Sequence, residues 1–154
     1  EFIINNTASF IPDASLYLLG ILESKMHMAW MSYVCGRMKS DFIYSNKIVY
    51  NNFPWPENVS EKQTKAVEKA VESVLSARKE FPSYSLADLY DPLTMPPVLV
   101  KAHQELDKAV DLCYRPQPFI NAAKRIEFLF ELYEKYTADL FTKEKPKKEK
   151  KAKS

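Results

Sequence analysis

From Leu16 onward the apolar positions Leu18, Leu19, Leu22, Met26, Ala29, Trp30, Tyr33 and Val34 recur at spacings of three and four. That period puts one wide apolar face on a helix reaching from about Leu16 to Cys35. Pro12-Asp13-Ala14-Ser15 supplies its capping candidates, and Gly36 can end it in a left-handed conformation. Between Arg37 and Pro56 the helical period is lost. Phe42-Ile43-Tyr44 and Lys47-Ile48-Val49-Tyr50 are rich in β-branched and aromatic residues and are joined by Ser45-Asn46, which predicts two short strands with a tight connection. Pro54 and Pro56 prevent ladder pairing and leave Phe53 and Trp55 to lock the segment onto a neighbouring surface. Upstream, Phe2 to Ile11 reads as extended, with a turn at Asn5-Asn6-Thr7.

A boundary falls near Glu57. Ser60 and Gln63 form a capping box, and Val67, Ala70, Val71, Val74, Leu75 and Phe81 follow at helical spacing, with Pro82 ending the helix. Leu86 to Pro97 is a proline-rich loop in which Leu89 and Tyr90 are the expected anchors. Pro97 suits the first turn of a helix whose stripe is Leu99, Ala102, Leu106, Val110 and Cys113, and Arg115-Pro116-Gln117-Pro118 breaks it. Asn121 caps a last helix carrying Ile126, Leu129, Phe130 and Tyr133 to about Thr137. The expected fold is mainly α with a small β element: a long buried helix plus short strands over 1–56, a three-helix unit over 57–141, and a Lys-rich tail over 142–154.

At 154 residues and 46% hydrophobic, the chain has apolar material for one core or two small ones. Net charge is +2, but Thr142 to Ser154 holds seven Lys against two Glu, net +5, which leaves −3 for the rest. The body is therefore not a generally basic surface, and any contact with nucleic acid needs a local patch. The tail reads either as a disordered, solvated terminus or as a salt-sensitive, sequence-blind attraction to phosphate. Cys35 and Cys113 sit in helical patterns and suit buried thiols in a reduced, cytoplasmic protein. Glu23, Lys25 and His27 interrupt the apolar run well short of a membrane span. Because Phe2-Ile3-Ile4 directly follows Glu1 and reads as a strand already under way, the chain is expected to be a piece of a longer protein.

No catalytic, cofactor-binding or metal-ligating constellation can be read. Gly20 and Gly36 are the only glycines and neither sits in a phosphate-cradling loop. His27 and His103 lie on different helices without ligand partners at suitable spacing, and the Met26, Met28, Met31 and Met38 set suits gap-filling core. The chemically suggestive stretch is Gly36-Arg37-Met38-Lys39-Ser40-Asp41. Lys39 donates to guanine O6 and N7, Asp41 accepts from cytosine N4, and alternate positions of one extended segment point the same way, so the two can span one base pair. A surface ion pair is the plain alternative. Two functional classes stand open on the residues alone: a DNA target-recognition fragment, or a helical protein-interaction module bracing its parent chain.

The stretch Leu16-Tyr17-Leu18-Leu19-Gly20-Ile21-Leu22-Glu23-Ser24-Lys25-Met26-His27-Met28-Ala29-Trp30, with Gly36 to Asp41, Tyr44-Ser45 and Val49-Tyr50-Asn51-Asn52-Phe53-Pro54-Trp55-Pro56, resembles the end of the target-recognition domain of MmeI-like DNA methyltransferases. Leu86-Ala87-Asp88-Leu89-Tyr90-Asp91-Pro92-Leu93-Thr94-Met95-Pro96-Pro97 and Phe128 to Tyr133 resemble that family's C-terminal helical segment. The resemblance covers nearly everything but the lysine tail. It implies a parent chain that is an adenine-N6 methyltransferase of restriction-modification type using S-adenosylmethionine, often with an amino-terminal nuclease domain. The glycine-containing cofactor loop and the Asn-Pro-Pro-Tyr motif expected for a flipped adenine are not in this sequence. By resemblance, then, the present piece helps choose the site and transfers no methyl group itself. Its partners are double-stranded DNA and the methyltransferase domain of its parent. Lys39 and Asp41 are implied in base readout, and Arg37, Tyr44, Ser45 and Lys47 in contacts to the DNA backbone or flanking bases.

Overall fold

The computed structural model describes residues 11–38 and 41–143, with the backbone alone at Arg37, Met38, Asp41, Phe42 and residues 139–143. The extended segment expected from Phe2 to residue 10, and the tail beyond Lys143, lie outside the described residues. Helix α1 (Leu16–Glu23) starts at Ser15, whose Oγ accepts from the Leu18 amide at 3.1 Å. The single long helix expected here is instead two, because Ser24 ends α1 and caps α2 (Lys25–Val34) from an extended backbone, φ −79° and ψ 158°. Its hydroxyl donates to the Ile21 carbonyl at 2.7 Å and accepts from the His27 amide at 3.4 Å. A serine that meets polar needs on both sides makes an abrupt bend tolerable inside a core, where Ser24 is fully buried.

The expected fold class needs correction. Among the described residues the protein is mostly helical, with seven helices and no sheet in its architecture. Lys47–Tyr50, expected as a strand, lies within one turn of π-helix over Asn46–Tyr50. β propensity yields here to tertiary anchoring, since Trp30 Nε1 donates to the Val49 carbonyl at 3.0 Å and Val49 is wholly buried. Extended pairing is limited to a ladder of three residue pairs, Gly36 opposite Ile43, Arg37 opposite Phe42 and Met38 opposite Asp41. That is a small hairpin standing off the helices and not a layer of the fold. Nor does Gly36 end the helix in a left-handed conformation: α2 stops at Val34, Cys35 is extended, and neither glycine has positive φ.

Helix α3 (Glu61–Lys79) begins with the expected capping box, Ser60 accepting from the Gln63 amide while Gln63 Oε1 accepts from the Ser60 amide. A short α4 (Leu86–Leu89), capped by Ser85 and Asp88, occupies part of the expected loop. Pro97 is the first residue of α5 (Pro97–Tyr114), and Asn121 caps α6 (Ala122–Lys143), accepting from the Lys124 amide at 3.0 Å. Helix α3 packs along α5, α1 crosses α3, and α2 lies against α6. A methyl group on Gly20 would approach Val67 Cγ1 to 2.5 Å and Val71 Cγ2 to 2.7 Å, so glycine is what lets α1 cross α3 this closely. One continuous core results, with Ile21 and Met26 from the first helices, Val67, Val71 and Val74 from α3, Leu99, Leu106 and Val110 from α5, and Leu129 from α6.

Candidate nucleic-acid interface

Helix α2 is the foundation on which the hairpin stands, and it is fixed at both ends. At its start the Lys25 amide donates to Asp107 Oδ1 of α5 at 2.8 Å, and Lys25 Nζ lies 3.2 Å from Oδ2. A buried carboxylate at a helix N-terminus satisfies an orphan amide and complements the dipole. Further along, Trp30 packs on Phe130 and Tyr133 of α6 at centroid distances of 5.4 and 5.8 Å. Trp30 and Phe53 are 2% and 3% exposed, which makes both core residues and not platforms for stacking bases.

The segment after the hairpin is tied down by side chains from both parts of the chain. Phe53 sits edge-on to Trp55 at 5.0 Å, and Tyr50 edge-on to Trp55 at 5.3 Å. The carbonyls that flank the prolines accept from the helical unit, Pro54 from Tyr114 Oη at 3.1 Å and Trp55 from Tyr136 Oη at 2.9 Å. Burial holds the Tyr114 phenol well above its ordinary range, so it stays a donor. Asn52 Nδ2 closes the π turn by donating to the Lys47 and Ile48 carbonyls at 2.8 and 3.1 Å.

Each expected contact residue then has its place. Lys39 lies outside the described residues. Arg37 and Asp41 belong to opposite arms of the hairpin. Asp41 opens the antiparallel return arm opposite Met38, so how it stands relative to Lys39 lies outside the described residues. Ser45 caps the π turn through its carbonyl, which accepts from Ile48 and Val49, and its hydroxyl makes no capping bond. Lys47 is exposed. Tyr44 is half-exposed, and its hydroxyl is 3.0 Å from His27 Nε2.

Sequence reasoning set His27 aside, yet it is the residue on which this corner rests. The ring is 2% exposed and stands edge-on to Phe53 at 4.7 Å. Burial lowers its pKa to about 4, so it is neutral at physiological pH. Beside it runs an apolar groove lined by Ile11, Leu22, Met28, Met31 and Tyr50, with Tyr44 at its edge. A second polar cluster also escaped notice: Arg78 of α3 binds Glu23 of α1 at 2.9 Å and the Tyr90 hydroxyl, which in turn meets His103 Nε2 at 2.6 Å. Glu23, Arg78, Tyr90 and His103 are far apart in sequence, so only a fold joins them. The one available signal was Tyr90, already expected to anchor the loop.

Comparison with known proteins gives this scaffold a family. Residues 1–57 match the family described as MmeI, target recognition domain, and residues 59–141 match MmeI, C-terminal domain. The chain belongs to the MmeI family. It is 43% identical over 137 residues to DNA methyltransferase A of Bacillus subtilis (strain 168), a match covering 89% of this chain and 15% of that protein. It is also 50% identical to a solved chain of the Type IIL restriction-modification enzyme MmeI in complex with DNA, with a TM-score of 0.80 over 83% of this chain and 17% of that one. The chain thus spans under a fifth of the length of either relative. The seam between the two MmeI matches is Asn58, one of two non-glycine residues with a left-handed backbone among the described residues, φ 55°. Among the described residues no helix is long and apolar enough to cross a membrane.

Proposed function

We propose that this chain is the site-selecting part of a longer adenine-N6 DNA methyltransferase, in which the hairpin after α2 reads one base pair of the target and the C-terminal helices brace it. Lys39 and Asp41 are the base-reading pair, Lys39 donating to guanine and Asp41 accepting from cytosine N4. Arg37, Ser45, Lys47 and the exposed edge of the Tyr44 ring serve as contacts to backbone or flanking bases. The parent chain supplies S-adenosylmethionine binding and chemistry, its methyltransferase domain is the intramolecular partner, and its site of action is the cytoplasm. Division near Glu57 then separates reader from brace.

The observation that carries this reading is the hairpin itself: a charged element raised on a helix whose neighbours are buried aromatics, in a chain half identical to part of a DNA-bound enzyme. The bracing role draws on the bonds from Tyr114 and Tyr136 to Pro54 and Trp55, and on the Glu23–Arg78 and Lys25–Asp107 pairs, all of which cross between the two parts. In the full-length parent, Lys39→Asp combined with Asp41→Lys should shift the preferred base at one position, the original base losing roughly 1–3 kcal/mol. An unchanged site preference would refute the assignment. Purified on its own, the chain should transfer no methyl group from S-adenosylmethionine to DNA.

A further inference from the structure

We infer that the Tyr44 hydroxyl and His27 are positioning groups for the recognition hairpin, forming a strut from the return arm back to α2. The inference rests on the reading above in taking the hairpin as the base-reading element. The hairpin has two feet. At the outgoing foot, Gly36 offers no purchase, since a methyl group there would meet no described atom within 4 Å. At the returning foot, Ile43 pairs with Gly36 and is itself 45% exposed, so it does not anchor the arm in the core. The next residue, Tyr44, makes the fixed contact: its hydroxyl is 3.0 Å from His27 Nε2, with the two rings 5.8 Å apart and inclined by 44°.

His27 can bear this load because it is buried and packed against Phe53. Its amide is held by Ser24 Oγ, its ring is edge-on to Phe53, and both belong to the buried corner that also holds Trp30. Only Phe42 and Ile43 separate Tyr44 from Asp41. A small swing at that foot is therefore carried to the Asp41 arm, and displacements of about 1 Å are enough to spoil a bidentate geometry. The groove beside the bond is lined by Ile11, Leu22, Met28 and Met31 as well as Asn46 and Asn51. Such a strut affects discrimination between bases more than affinity for DNA in general, because phosphate contacts tolerate the swing and base edges do not.

The test is a double-mutant cycle in the full-length parent, using Tyr44→Phe, His27→Leu and the pair. The readout is the ratio of methylation kcat/KM at the preferred site to that at a panel of sites altered one base pair at a time. Each single change should lower discrimination at one base pair by roughly threefold to tenfold, the worth of one hydrogen bond. The double change should be no worse than the more damaging single one. Affinity for unrelated DNA should stay as it was. Tyr44→Phe also leaves His27 Nε2 without its partner, so a lower melting temperature is expected, and the readout that a merely structural role would not move is the ratio between sites. Additive losses, or a uniform loss at all sites, would overturn the strut, the first by showing that the hydroxyl touches DNA and the second by showing a merely structural role. Unaltered discrimination in both single variants would overturn it equally. Coupled losses alongside a Lys39/Asp41 exchange that leaves base preference unchanged would uphold the strut while refuting the base-reading pair.

Discussion

At the scale of single residues, two buried positions have measurable consequences. His27 carries a pKa lowered by burial to about 4, below the value of about 6.5 for an unfolded chain. As pH falls the unfolded chain takes up the proton first, so the stability tied to this ring is complete above about pH 6.5 and is lost progressively toward about 4. His103 is shifted the same way, chiefly by burial, and adds the same sign. The urea midpoint should therefore drop between pH 7 and pH 4, with His27 accounting for at most about 3 kcal/mol. His27→Leu should flatten that drop, and an unchanged slope would contradict the account. Gly20→Ala would force a methyl group against the branched side chains of Val67 and Val71. The expected loss is about 1–3 kcal/mol by overpacking, read as a lower urea midpoint.

At the scale of elements, the join between α1 and α2 depends on Ser24 and Asp107. Removing the Asp107 carboxylate by Asp107→Ala strands the Lys25 amide, at an expected cost of about 1–3 kcal/mol in chemical denaturation. If Asp107→Ala left stability unchanged, the join would have to be held by Ser24 alone. The helices after Glu57 were legible because their caps and stripes are local: Ser60 with Gln63, Pro97 at a first turn, Asn121 before α6. The bend at Ser24 was not, since an unbroken apolar period runs through it and the serine looks like a tolerated polar residue on a helix. Lys47–Tyr50 misled for another reason. Its residues suit a strand, but Trp30 of a distant helix takes the Val49 carbonyl and Asn52 takes the two before it, while the Ile48 and Val49 amides turn back to the Ser45 carbonyl, so these backbone groups are not left for a neighbouring strand to pair along. The hairpin charges were visible as a motif, while the support beneath them, His27 to Tyr44, was invisible because it joins residues 17 apart through the fold.

At the scale of the whole molecule, the first two helices and the C-terminal helices share one core, and hydrogen bonds from Tyr114 and Tyr136 reach the segment that follows the hairpin. Arg125 and Asp111 form a largely buried two-pronged pair, at 3.0 and 2.6 Å, that sets α6 against α5. Arg125→Met should destabilise by about 3–5 kcal/mol, because it leaves a buried carboxylate without its partner. Thermal unfolding of this chain followed by two probes would check it. In the function we propose, this packing holds a few side chains against the edge of one base pair. The most direct measurement replaces guanine by 7-deazaguanine, which lacks the N7 acceptor, at each guanine of the preferred site in turn, and compares the full-length parent with its Lys39→Met variant. At one position the analogue should weaken binding by roughly 1–3 kcal/mol in the parent and have no effect in the variant. Equal sensitivity of the two proteins at every guanine would contradict it.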